Sequence, residues 1–88
     1  MPSVSQSIRV TVLFFGRLKE ILGRTQESID LAVESDIESL FAQYASHYPE
    51  LKQYRPSLVA SCNREFAPWN TALHAGDEVA FLPPVSGG

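Results

Sequence analysis

Hydrophobic and polar positions alternate from the start of the chain, then change period. Ile8, Val10, Val12 and Phe14 interleave with Arg9, Thr11, Leu13 and Phe15, the period of two that marks a strand, in a β-branched and aromatic stretch. The first set is the core face. The second set begins polar and turns apolar at Leu13 and Phe15, the far end of the strand. Gly16 breaks the run, after which Leu18, Ile21 and Leu22 recur at helical spacing up to Gly23, predicting a short helix. A second strand is expected over Glu27–Leu31, with Ile29 and Leu31 inward.

Ser35-Asp36-Ile37-Glu38 has the form of a capping box and predicts the start of the main helix. Ile37, Leu40, Phe41, Tyr44 and Tyr48 follow at steps of three and four, one continuous apolar stripe, and Pro49 marks the expected end. Ser57–Asn63 reads as a third strand, with Asn63-Arg64 as a turn into a short strand around Phe66. Pro68-Trp69-Asn70 is irregular, and Ala75-Gly76-Asp77-Glu78 is a tight turn into a final strand, Val79-Ala80-Phe81-Leu82. Strand, short helix, strand, long helix, short strands is the order of an α+β fold, a mixed sheet over one helix. The first and last strands are expected side by side and parallel at its centre. Residues 1–82 then form one domain, with 1–7 frayed, and 83–88 form a tail.

The tail, Pro83-Pro84-Val85-Ser86-Gly87-Gly88, begins with two prolines that withhold backbone donors and end the sheet ladder. An extended, polyproline-like path of six residues reaches about 20 Å. Gly87 and Gly88 lack a Cβ and can thread a channel closed to other residues. The competing reading is an inert, fraying end.

Composition narrows the classes. Eighty-eight residues with 44% hydrophobic content make one ordinary folded domain. A net charge of −3 speaks against nucleic acid as a partner and suits a protein with a basic groove. Cys62 is the single cysteine, so no internal disulfide or Cys-x-x-Cys motif exists. The longest apolar run, Val10–Phe15, is too short to cross a bilayer, and the N-terminus lacks the basic segment and cleavage site of a signal peptide. A cytoplasmic setting is expected, with no membrane partner.

Side chains offer no catalytic constellation. His47 and His74 have no cysteine or carboxylate at ligand spacing, so no metal site is expected, and Cys62 reads as a buried, inert thiol, with a sulfur-transferring cysteine as the lesser alternative. Asp77-Glu78 and the acidic residues Asp30, Glu34, Asp36 and Glu38 read as solvated or dipole-complementing groups. No glycine-rich phosphate loop is present, so a nucleotide must be bound by a partner. The reactive group left is the carboxylate of Gly88, ionised at neutral pH with an ordinary pKa of about 3.5 and therefore a poor electrophile. Transfer of AMP from ATP would activate it; sulfide attack would give a thiocarboxylate, amine attack a lysine conjugate. Both outcomes stay open on chemistry alone.

Val12-Leu13-Phe14-Phe15 near the start and Gly76-Asp77-Glu78-Val79 through Pro83-Pro84-Val85-Ser86-Gly87-Gly88 at the end carry a resemblance. The chain resembles the ubiquitin-like β-grasp sulfur carriers, most closely the family of molybdopterin synthase small subunits, over essentially all of residues 8–88. The family often has threonine at Ser86 and phenylalanine at Leu82. The resemblance implies a non-catalytic sulfur-donor subunit with no tightly bound cofactor. An ATP-dependent adenylating enzyme and a sulfur donor would place AMP and then sulfur on Gly88, with Gly87 threading the channel. The tail, Pro83 to Ser86, would enter the large synthase subunit in a hetero-tetramer and pass sulfur to a cyclic pyranopterin precursor of molybdenum cofactor. Phe15, Phe66 and Leu82 are expected to form the docking anchor; the competing expectation is that a loop or the first helix covers them. Other readings are a ubiquitin-like modifier conjugated through Gly88, a carrier for thiazole or tRNA thiolation, and a structural interaction domain with an inert tail.

Overall fold

The computed structural model describes residues 7–83. β1 (Ser7–Phe14) buries Val10, Val12 and Phe14, the parity its sequence predicts. Ser7, placed by the sequence in a frayed start, opens this strand opposite Ala32. Phe15 keeps an extended backbone but lies past the last β1 residue, at the N-cap of α1 (Gly16–Leu22). Gly23 closes α1 in the left-handed conformation, φ +74°, and its N–H donates to the carbonyl of Lys19. β2 (Gln26–Ala32) returns antiparallel to β1, turning Leu31 into the core.

α2 (Ile37–His47) buries Ile37, Leu40, Phe41, Tyr44 and Ala45 against the sheet. Its cap is Asp36, one residue later than the capping box predicts. The Asp36 carboxylate accepts from the Ser39 amide at 2.8 Å and the Ser39 hydroxyl at 2.7 Å. Ser35 instead donates its hydroxyl to the Ala32 carbonyl at 2.7 Å, and Glu38 pairs outward with Arg55. An ionised carboxylate is the stronger acceptor at a helix N-terminus, so it takes the position. The first two amides of the helix, Ile37 and Glu38, donate to the carbonyls of Thr71 and Trp69. A distant loop thus satisfies donors that a helix start leaves orphaned.

α2 stops ahead of Pro49 as expected, but residues Pro49–Ser57 then form a 3₁₀ segment pinned by the buried Leu51. That delays the third strand: β3 is Val59–Cys62, shorter than Ser57–Asn63. β4 (Glu65–Phe66) and β5 (Glu78–Leu82) complete a five-stranded sheet in the order β2-β1-β5-β3-β4. β5 lies in the middle and runs parallel to β1, with Val12 opposite Val79 and Phe14 opposite Phe81. Its other neighbour, β3, is antiparallel, with Ala60 opposite Phe81. This is the mixed sheet over one main helix that the sequence implies.

Candidate functional site

The sheet has one face under α2 and one face open, and strand parity sorts every residue between them. On the open face, Leu13 of β1, Ala80 of β5, Ser61 of β3 and Phe66 of β4 stand opposite one another in a single row across four strands. The next row toward the end of β5 pairs Leu82 with Val59, with Phe15 just past β1. Phe66 is 77% exposed, Phe15 43% and Val59 39%. Toward the other end the same face becomes polar: Thr11 lies opposite Ser28, and Arg9 forms a two-pronged pair with Asp30 at 2.8 and 3.2 Å. The apolar character is therefore confined to the half of the face where β5 ends.

Phe15, Phe66 and Leu82, the anchor predicted from sequence, line one shallow depression of about 310 Å³. Neither a loop nor α1 seals it, since Phe15 and Phe66 remain exposed. Leu13, already marked by strand parity, belongs to the same depression, together with Ala80, Ser61, Arg64 and Glu78, which were not expected there. Parity alone placed Leu13 and could have placed Ala80, whereas Ser61 and Arg64 arrive only through β3 and β4 pairing. Pro83, the first tail residue, borders a second hollow of about 210 Å³ with Phe15, Leu18, Tyr54 and Leu58. Arg17 reaches across that hollow, its Nε donating to the Tyr54 hydroxyl at 3.4 Å. Pro84, Val85, Ser86, Gly87 and Gly88, the other predicted tail residues, lie outside the described residues.

Elsewhere the titratable groups serve the fold. Asp77 is the hub of the turn into β5: its carboxylate accepts from Asn63 Nδ2 at 3.0 Å and from the His74 amide at 2.8 Å. Burial works to raise its pKa, but these bonds and one from Cys62 outweigh it and hold the carboxyl below its ordinary value. Cys62 is half-buried, and burial together with the Asp77 carboxylate pushes its thiol up, which disfavours the thiolate a sulfur-transferring cysteine needs. Burial and the bond to Glu27 at 2.8 Å likewise push the Tyr44 phenol up. His47 and His74 are exposed, and among the described residues no cluster of His, Cys, Asp or Glu could hold a metal ion. Among the described residues no helix is long and apolar enough to cross a membrane.

Comparison with known proteins adds four likenesses. The sequence profile of the ThiS family matches residues 12–88. The molybdopterin synthase sulfur carrier subunit of Mycobacterium tuberculosis is 37% identical over 82 residues, covering 92% of this chain and 99% of that protein. Among solved structures, the complex of subunits 1 and 2 of molybdopterin-converting factor from Helicobacter pylori contains a chain 30% identical, with a TM-score of 0.61, covering 92% of this chain and all of that one. The small archaeal modifier protein 1 of Methanosarcina acetivorans is 25% identical with a TM-score of 0.74, covering 94% of this chain and 99% of that one.

Proposed function

The chain belongs to the ThiS family, and from that membership we propose that it is the sulfur-carrier subunit of a molybdopterin synthase. The observation that carries this reading is the apolar half of the open sheet face, gathered where the central strand β5 runs out into the tail. A carrier whose reactive group sits at the end of a narrow arm needs a rigid foot and a docking surface beside it. β5 is held on both sides by hydrogen-bonded neighbours, and Phe15, Phe66 and Leu82 lie at its end. A partner covering this surface, the large synthase subunit, would receive the tail in a fixed direction. The likeness to a chain from a complex of the two converting-factor subunits supports that partner.

In the proposed cycle a Gly88 carboxylate oxygen attacks the α-phosphate of ATP on an adenylating partner, and pyrophosphate leaves. Sulfide from a donor then attacks the acyl carbon and expels AMP, leaving a thiocarboxylate. The loaded tail, threaded through Gly87, gives its sulfur to a cyclic pyranopterin precursor in the large subunit, and water restores the carboxylate. The chain's own part is to carry, orient and dock. No described side chain has the environment of a nucleophile for the sulfur step, Cys62 included.

Intact-mass measurement of the protein produced together with its adenylating enzyme tests the reading. The expected product has one oxygen replaced by sulfur at Gly88; an unmodified carboxylate under those conditions overturns it. Adding one residue after Gly88 should abolish sulfur loading while leaving thermal stability unchanged, because it moves the carboxylate and fills the channel. A second reading, a protein modifier, is favoured by the likeness to small archaeal modifier protein 1. Its signature is a set of high-mass conjugates that vanish when Gly87 and Gly88 are deleted.

A further inference from the structure

The β3–β4 turn is built from Asn63 and Arg64, both with left-handed backbone, φ +53° and +72°. A two-residue hairpin turn of this hand favours asparagine first and glycine second. Asn63 fits its place: its amide group donates to Asp77 at 3.0 Å and accepts from the Glu78 amide at 3.0 Å, tying the turn to β5. Arg64 occupies the glycine position, where a side chain strains the backbone. Among the described residues the Arg64 side chain makes no hydrogen bond that would offset that strain. Its guanidinium side chain is 88% exposed and, among the described residues, meets Glu78 at 3.6 Å, an ion pair too open to contribute much. The turn itself places Arg64 along the depression lined by Phe15, Phe66 and Leu82, with Glu78 beside it. The neighbouring Glu65 pairs with Cys62 and by strand alternation turns to the opposite face. A chain of net charge −3 thus sets a cation, in a strained position, at the edge of its apolar face.

We propose that Arg64 is a specificity-determining docking residue that pairs with an acidic side chain on the protein partner covering the open sheet face. The proposal rests on the docking-face reading above. A rim charge beside a desolvated apolar patch chiefly sets encounter rate and partner choice. A guanidinium also fits the two oxygens of a carboxylate with its planar fork. The strain at Arg64 then persists because the contact is made only in the complex.

The test titrates the large synthase subunit with wild type, R64G, R64K, R64E and F66D at low and high salt, alongside thermal melts of each variant alone. R64G should melt about 2–4 °C higher than wild type, since the left-handed strain is relieved. Its affinity should fall about 3–10-fold, mainly through slower association, with a flatter salt dependence. R64K, which keeps the charge but not the planar fork, should retain the salt dependence of wild type and recover only part of the affinity lost in R64G, and R64E should bind more weakly than R64G. If R64G binds as tightly as wild type with the same salt dependence, the assignment of Arg64 is wrong while the docking face stands. If wild type does not bind, or F66D binds undiminished, the docking face itself fails and the role of Arg64 with it.

Discussion

Phe15 stands where three features meet: the end of β1, the start of α1 and the foot of the tail. Its ring is exposed enough for a charge to be tolerated in the free domain but not in a desolvated interface. F15D should therefore abolish co-elution with the large synthase subunit on gel filtration while its melting curve stays close to wild type. A variant that still assembles would remove Phe15 from the anchor. Asp77 carries a prediction of another kind. Its carboxyl is held below its ordinary value, so it favours the folded state above that value and loses this contribution as pH falls through the folded one. Asp36, lowered chiefly by the Ser39 amide, acts in the same direction. Stability should decline on the acid side of about pH 4. D77N should show a flatter acid limb and a lower urea midpoint at neutral pH; an acid limb as steep as wild type would assign the decline to other groups.

Among the elements, the 3₁₀ segment has the least support from its own sequence and the most from its neighbours. Arg55 is its tether. The guanidinium lies 3.5 Å from the centre of the Trp69 ring and pairs with Glu38 at the start of α2. Trp69 in turn stacks on Phe81 at 5.5 Å and meets Phe41 edge-on at 5.4 Å. One side chain thus joins the 3₁₀ segment, the first turn of α2 and the loop whose carbonyls accept from that turn. R55A should cost about 1–2 kcal/mol and change Trp69 fluorescence in the native state. R55K, which keeps the charge but not the planar stack, should recover only part of the loss in urea unfolding. Full recovery would mean that charge alone holds the segment.

At the scale of the molecule, the parallel pairing of β1 with β5 joins the two ends of the described chain and closes the core. Phe81 sits at its centre, 1% exposed, against Phe41 and Trp69 and opposite Phe14 in the strand register. F81A should cost about 3–5 kcal/mol, a large share of the stability of so small a domain. Urea unfolding followed by far-ultraviolet circular dichroism checks this, with much of the population expected to unfold near physiological temperature. The tail would lose its direction with it, since β5 is both core strand and the tail's root. A loss below 1 kcal/mol would show that the sheet does not depend on this strand's packing.

The strands, α1 and α2 were legible because their determinants are local: alternation in Ile8–Phe14, the stripe from Ile37 to Tyr44, and Gly23, which alone among neighbouring residues takes a left-handed cap freely. Family membership was legible too, in the spacing between Val12–Phe15 and the Gly76–Gly88 ending. What sequence left open depends on contacts between distant residues. The Asp36 cap was displaced by one position because the better acceptor took the helix start, and no periodicity encodes the 3₁₀ segment that shortens β3. The full row on the open face is the clearest case, since the sequence suggested Phe15, Phe66 and Leu82 but not the residues that join them. Leu13, Ala80, Ser61 and Phe66 lie far apart in the chain, and each is an ordinary residue on its own strand. Only the register of four paired strands sets them in one row at the end of β5, with Arg64 at its edge.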